Sequence, residues 1–410
     1  MQPLLGLVTF IALAWALSLN RRAFPWRTVA TGLALQFTLA FLILHTGPGK
    51  AFFASMDGAF STLLKFANEG TSMVFGPLAN TALLNEKWGA QNAVLFAVTV
   101  TGTIVFVSAI SSALYHYGIL QIIVRAAAWT MGKILGTSGS ESLAAAANIF
   151  MGQTEAPLVI KPYLLTMTRS ELLALMTGGM ATIAGGVLAA YVAFGISAGH
   201  LLTASVISAP AALMMAKILL PEKEVSPTRD GATAQIEKQS VNGIDALCTG
   251  AADGMKLSIN VMAMLIAFVA TVALLNHFLA LTLGWLGADI AQPLQLLLGW
   301  IQAPFAWLMG IPASECVPAG AILGERIVLN EFVGYLSLSQ QSETLSPESK
   351  VTLTYALCGF ANFSSIAIQI GGIGALAESR RADLARLGLR AMIGGLLACY
   401  CTACIASLLS

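Results

Sequence analysis

Residues 141–165 read ESLAAAANIFMGQTEAPLVIKPYLL. The stretch is apolar enough to enter a bilayer, yet Gly152 interrupts it, Gln153, Thr154 and Glu155 follow in succession, and Pro157 and Pro162 each remove a backbone donor. A straight transmembrane helix does not suit that centre. A re-entrant helical hairpin does, because backbone freed by such breaks is tolerated at membrane depth only where it is buried in protein or lines a water-filled cavity. Residues 311–336, IPASECVPAGAILGERIVLNEFVGYL, follow the same pattern: Pro312, Pro318, Gly320 and Gly324 break an apolar run that carries Glu331.

The chain around these two stretches is suited to lipid. Of its 410 residues 57% are hydrophobic and 10% charged, against roughly 25% charged in an ordinary soluble domain. That balance excludes most soluble enzymes and makes lipid the solvent for most of the chain. A net charge of +1 provides no basic excess to hold nucleic acid, which drops out as a partner. The six cysteines lie mostly in apolar runs and read as small buried hydrophobes. The four histidines are scattered, so no metal cluster or catalytic triad is visible, and the chain is not read as an enzyme.

Long apolar runs at residues 3–19, 29–44, 93–114, 171–194, 201–220, 257–283, 350–376 and 384–409 predict eight full spans. Residues 51–83, semi-polar and interrupted by Gly58, Gly70 and Gly76, predict an interfacial helix. Residues 119–135, with Arg125 and Lys133 on an otherwise apolar helix, predict another that lies along the inner surface. Arg21, Arg22 and Arg27 follow the first run rather than precede it, which inverts the order of a cleavable signal peptide and places the amino terminus outside. Threading eight spans from there leaves only Lys50, Lys65, Lys87, Arg326 and Lys350 away from the inner ends, as the positive-inside rule requires. Residues 221–245 are the only long hydrophilic segment and predict a mobile cytoplasmic linker between halves.

Each hairpin is followed by a span with a small, polar centre, TGGMATIAGG in the first case and LCGFANFSSIAI in the second. Setting Gly179 against Gly359 pairs Thr182 with Asn362 and Gly185 with Ser365. The first hairpin is entered from the inside and the second from the outside. Two such units of opposite orientation are what an inverted-repeat transporter requires, with substrate and ion sites at midplane among broken helices.

Glu155 and Glu331 stand out because an ionisable residue near a helix centre costs about 2.5–3.5 kcal/mol even on the lenient insertion scale. The ordinary alternative is snorkelling or a structural ion pair. Gln153, Thr154 and Glu155 offer donors and acceptors to a polar heterocycle, or else cap two half-helices. Asn148 and Thr182 supply neutral oxygens suited to a hard cation, or else bond helix to helix. Asn362, Ser364 and Ser365 occupy the second polar centre, and Phe360 beside them either packs or stacks on a ring.

GQTEAPLVIKPYL at 152–164, NEFVGY at 330–335 and LCGFANFSSIAI at 357–368 resemble the signature stretches of the concentrative nucleoside transporter family. By order and spacing the likeness extends over nearly the whole chain. It implies an all-α polytopic membrane protein of eight transmembrane helices plus two re-entrant helical hairpins in inverted repeats, with interfacial helices. It further implies a homotrimer in which a transport domain moves against a scaffold. Residues 1–135 are then scaffold, 136–220 the first transport repeat, 221–310 the linker with a scaffold span and an outer interfacial helix, and 311–410 the second transport repeat.

The resemblance also implies roles. Gln153, Thr154 and Glu155 face the nucleobase with Val187 beside it, Glu331, Asn362 and Ser365 bind the ribose hydroxyls, and Phe360 borders the cleft. The sodium site maps onto the side chains of Asn148 and Thr182 and the carbonyls of Met151, Thr182 and Ile183. Many relatives carry serine where Thr182 stands and alanine where Gly334 stands; threonine keeps the hydroxyl, and Gly334 is expected to alter local packing. The implied function is sodium-coupled concentrative import of nucleosides such as uridine by an elevator mechanism, with sodium as coupling ion and no organic cofactor. The implied location is a bacterial inner membrane, both termini periplasmic. A proton-coupled carrier in which Glu155 or Glu331 titrates is the first alternative, and an ion channel or membrane enzyme the second.

Overall fold

The computed structural model describes residues 1–89, 95–229, 232, 240–285, 287, 290–341 and 344–409. Every regular element among them is helical. The amino-terminal part comprises α1 (Gln2–Ala16), α2 (Trp26–His45), α3 (Gly47–Phe75), α4 (Thr81–Trp88), α5 (Phe96–His116) and α6 (Ile119–Leu135). Next come α7 (Gly139–Asn148), α8 (Ala156–Val159), α9 (Arg169–Ala181), α10 (Gly185–Ala193) and α11 (Ala198–Leu219). The second half holds α12 (Gly243–Trp285), α13 (Pro293–Leu308), α14 (Cys316–Val328), α15 (Glu331–Gln340), α16 (Pro347–Leu357), α17 (Phe363–Leu376) and α18 (Arg381–Leu409).

Among the described residues six segments are long and apolar enough to cross a membrane: Trp26–His45, Ala97–His116, Arg169–Ala193, Ala198–Leu219, Gly243–Trp285 and Glu378–Leu409. The shorter apolar helices Gln2–Ala16 and Phe363–Leu376 fall within the remaining predicted runs.

Local chemistry explains the irregular elements. Ser138 and Glu141 form a capping box at the start of α7, and Thr168 and Glu171 form another at the start of α9. Pro157 sits in the first turn of α8 and Pro162 in the first turn of the 3-10 segment Lys161–Tyr163, where the missing N–H has no helical partner to lose. The return arm of the first hairpin is therefore two short pieces rather than one helix. In the second hairpin α14 ends at Val328, and Asn330 starts α15 by accepting from Val333 N at 3.0 Å.

Two predicted spans prove to be broken. The run at 171–194 divides into α9 and α10, and the run at 350–376 into α16 and α17, each parting at its small, polar centre. Residues 51–83, expected to form an interfacial helix, lie mostly on α3, which is not among the segments long and apolar enough to cross a membrane. Gly58 and Gly70 do not interrupt α3, a continuous helix of 29 residues. Nothing lies within 4 Å of a Cβ added at either glycine, so on this open face each costs only its helix propensity, about 1 kcal/mol. Gly76, at φ +56°, ends the helix.

The span predicted at 257–283 extends back to Gly243, making α12 a helix of 43 residues, about 65 Å long at 1.5 Å per residue. It lies closely along α5. A Cβ on Gly250 would come within 2.6 Å of Ser108 O, and one on Gly254 within 2.8 Å of Val105 Cα, the backbone approach that a Gly-x-x-x-Gly spacing permits.

Helices α7, α9 and α11 are buried along almost their whole length; α9 and α11 pack with α18, and α1 and α2 close over α18 and α11. Lys217 on α11 pairs with Glu141 at the base of α7 at 2.7 Å, both side chains buried, and with Glu222 at 3.3 Å. Ser226 donates to Glu171 at 2.5 Å, and Thr228 O accepts from Gly139 N at 2.8 Å. The opening of the segment expected to be a mobile linker is thus bound to α7, α9 and α11 by polar contacts. Residues 230–231 and 233–239 of that segment, including Lys238, lie outside the described residues, as do residues 93–94 of the third predicted span.

Candidate functional site

The first hairpin turns at Gly152, whose N–H donates to Glu155 Oε2 at 2.7 Å. A Cβ there would lie 3.2 Å from Ala184 Cβ, so the glycine lets the tip sit directly against the break between α9 and α10. The turn presents Gln153, buried, beside Thr154 and Glu155, both exposed.

Glu331 is the first residue of α15 and is buried. Its Oε1 accepts from Tyr191 Oη at 3.1 Å and its Oε2 from Asn362 Nδ2 at 2.9 Å. Asn362 is at the same time the N-cap of α17: its Oδ1 accepts from Ser365 N at 2.9 Å and from Ser364 Oγ at 2.7 Å. With its oxygen held by the helix start, its amide nitrogen is the end that reaches the carboxylate.

These two groups meet. Gln153 Nε2 donates to Ser365 Oγ at 3.1 Å across 212 residues of sequence. A cavity of about 170 Å³ is lined by Gln153, Thr154, Glu155 and Val187 together with Glu331, Phe360, Asn362, Ser364 and Ser365. Leu257, Val261, Met264 and Leu265 of α12 form its opposite wall. A second cavity of about 240 Å³ shares Glu155, Ala184 and Leu257 and is lined further by Ser108, Ser111, Ser112, Tyr115, Thr249 and Asp253. A larger one, about 710 Å³ between α12, α13 and the second hairpin, holds none of the predicted site residues.

The two glutamates, one in each of the broken apolar stretches, differ in their settings. Glu331 is enclosed and satisfied by two donors, whereas Glu155 is exposed where the two smaller cavities join. The partner required of a buried carboxylate is present for Glu331 as a phenol and an amide. Glu155 is held by one backbone N–H and faces open space.

Asn148, the last residue of α7, is completely buried, and neither polar atom of its side chain has a hydrogen-bond partner among the described residues. Such an amide costs free energy unless something polar arrives. It packs against α9, where a Cβ on Gly178 would lie 3.1 Å from its Nδ2. Thr182, buried at the end of α9, donates to Gly178 O at 3.0 Å, which leaves its hydroxyl oxygen able to accept or to ligate. Met151 and Ile183 belong to the turn and the break on either side. Neutral side-chain and carbonyl oxygens are the donor type that hard cations take.

Three residues of this region escaped the sequence reading. Tyr191 lay in an apolar run and gave no sign of reaching Glu331. Gln369 is the one polar residue in IAIQIGG; it is fully buried and donates to Gln153 Oε1 at 3.1 Å. Arg326, set aside as a hairpin charge, is wholly buried, with Nη2 donating to Gly359 O at 3.2 Å in the second break and reaching Cys399 Sγ at 3.2 Å. Gly334 faces Leu357 and Arg326, with 3.0 Å between an added Cβ and Leu357 Cδ2, in keeping with a packing role.

The chain is similar to known proteins over its whole length. The family description "Na+ dependent nucleoside transporter C-terminus" matches residues 200–407, its amino-terminal counterpart residues 5–78, and "Nucleoside recognition" residues 97–198. An uncharacterized transporter of Haemophilus influenzae is 43% identical over 100% of this chain and 97% of its own length. Sodium/nucleoside cotransporter 1 of Mus musculus is 39% identical over 98% of this chain and 63% of its own length. Among solved structures, CNTnw in an inward-facing substrate-bound state superposes with a TM-score of 0.93 at 40% identity, covering 100% of this chain and 97% of that one. A variant of CNTnw in an outward-facing state gives 0.95 at 38% identity, covering the same shares. These relatives are transporters, not enzymes, and this chain belongs to the family of Na+-dependent nucleoside transporters.

Proposed function

We propose that this protein is a sodium-coupled nucleoside importer that works by an elevator-type alternating-access mechanism. The observation that carries the proposal is the convergence of both hairpins and both broken helices on one cavity. Gln153, Thr154 and Glu155, with Val187, would hold the base. Glu331, Asn362 and Ser365 would hold the ribose, and Phe360 would border the cleft. Glu331 keeps acceptor capacity on each oxygen beyond its bonds to Tyr191 and Asn362, which suits sugar hydroxyls. Asn148, Thr182, Met151 and Ile183 would ligate sodium, a reading supported by the unpartnered buried amide of Asn148. Because that amide closes α7 and the hairpin tip follows it directly, a cation there would order the base-binding turn, so ion and nucleoside binding become one linkage.

In this reading the chain has eight spans and two hairpins in inverted repeats. Residues 136–220 and 311–410 move against a scaffold drawn from 1–135 and 221–310, in a homotrimer whose termini face the periplasm of a bacterial inner membrane. The exposed apolar faces of α2 and α12 support lipid or subunit contact there. The polar cavity beyond Glu155, lined by the carboxyl end of α5 and the amino end of α12, would be the inner release path. Uridine uptake by proteoliposomes, with sodium and pH gradients imposed separately, tests the proposal. Accumulation should follow the sodium gradient. Uptake driven by the pH gradient alone would replace it with the proton-coupled alternative.

A further inference from the structure

Gln369 lies on α17 behind the proposed base site, fully buried in the apolar run IAIQIGG. Its Nε2 donates twice, to Met176 O at 3.0 Å and to Gln153 Oε1 at 3.1 Å. A backbone carbonyl offers only lone pairs, so the end of Gln369 that faces Met176 must be its NH2. The same nitrogen then faces Gln153, and Gln153 must answer with its oxygen. The amide nitrogen of Gln153 is left to point the other way, toward Ser365 Oγ at 3.1 Å and the cavity wall it lines. Ser365 Oγ accepts that bond, so its own hydroxyl hydrogen remains to be donated. One fixed carbonyl thereby sets the direction of the hydrogen bonds in the relay from Met176 through Gln369 and Gln153 to Ser365.

We propose that Gln369 is a specificity-setting positioning residue: anchored by Met176, it locks the Gln153 amide with N–H toward the ligand, so that the site selects nucleosides whose base presents a hydrogen-bond acceptor at that edge. The adjacent Glu155 can only accept while ionised, and so favours an N–H beside that acceptor. The preferred base edge is therefore an acceptor next to a donor. Geometry around the relay reinforces the lock. A Cβ on Gly179 would come within 2.9 Å of both Gln153 Cβ and Gln369 Nε2, so the glycine leaves only enough room for the two amides to lie together. Gln369 Oε1 has no partner among the described residues. Its cost marks the residue as kept for its two donors rather than for packing.

This inference rests on the nucleoside site proposed above, and the experiment separates the two. Purified protein is titrated calorimetrically with uridine and with cytidine, which replaces the 4-carbonyl by an amino group, and with 4-thiouridine and 2-thiouridine, whose sulfur accepts hydrogen bonds poorly. The proteins compared are wild type, Gln369→Leu, Gln153→Ala and the double variant. In Gln369→Leu the Gln153 amide is free to rotate. Uridine affinity should fall roughly 3- to 10-fold, the cost of losing one pre-set neutral hydrogen bond. Wild type should lose affinity for at least one thio-uridine, and this discrimination should shrink in Gln369→Leu. In the Gln153→Ala background Gln369→Leu should have no further effect, because its action passes through Gln153. An equal loss in both backgrounds, or unchanged affinity and discrimination in Gln369→Leu, overturns the relay while leaving the site intact. Unchanged uridine binding in Gln153→Ala overturns the base site itself. Gln369→Met, which keeps length without donors, should reproduce Gln369→Leu. Thermal unfolding of each variant excludes loss of fold as the cause.

Discussion

Tyr191 and Glu331 are 140 residues apart, yet the phenol of one donates to the carboxylate of the other at 3.1 Å. The bond joins the second half of the first broken helix to the tip of the second hairpin. Asn362 completes the carboxylate's support at 2.9 Å from the second broken helix. Tyr191→Phe removes one of two donors from a buried carboxylate, a bond worth about 1.5–3 kcal/mol. Uridine affinity should weaken about tenfold with the fold kept, as read by calorimetric titration alongside thermal unfolding. An unchanged dissociation constant would remove Tyr191 from the ribose site.

Glu331→Gln should reduce sodium-driven uridine uptake more than tenfold, since the amide offers one acceptor oxygen where the carboxylate offers two and turns an NH2 toward the donors of Tyr191 or Asn362. Initial rates in proteoliposomes are the measurement. Full uptake by the variant would refute the ribose assignment.

Asn148→Leu replaces an unpartnered buried amide with an apolar group of similar size, so stability should be kept or raised. The concentration of sodium needed for half-maximal uridine binding should rise at least tenfold, or sodium dependence should vanish. Retention of the wild-type sodium dependence would place the ion elsewhere.

Lys217→Met leaves Glu141 buried without its counter-charge and should destabilise the fold by about 3–5 kcal/mol. The double change Lys217→Met with Glu141→Gln should recover part of that loss. Denaturation midpoints in detergent measure both.

Gly254→Leu drives a side chain into the backbone of α5 at Val105 Cα and Ile104 O. Neither atom has a rotamer to escape into, so the cost should reach or exceed the 1–3 kcal/mol usual for overpacking. A lowered melting temperature, and a size-exclusion profile broader than wild type, are the expected results.

The sequence by itself determined the solvent, the helical class and the places where helices break. Those are local properties. The 10% charge makes lipid the medium, and glycine, proline and consecutive polar residues inside apolar runs mark backbone that cannot stay helical at membrane depth. Gln153, Thr154, Glu155, Asn362 and Ser365 were visible because each is a polar residue at such a break, and the structure brings them to one cavity. Gly58 and Gly70 do not end α3, because glycines on an open face weaken a helix without ending it.

Tertiary structure decided which residues meet. No periodicity links Gln369 with Gln153, Tyr191 with Glu331 or Arg326 with Gly359, because each pair joins elements brought together only by packing. It also decided that Glu331 is enclosed and held while Glu155 stands open, a difference invisible in two carboxylates that each follow a glycine- or proline-broken apolar run. Burial and hydrogen-bond direction are properties of neighbours in space, and those neighbours are assigned when the chain folds.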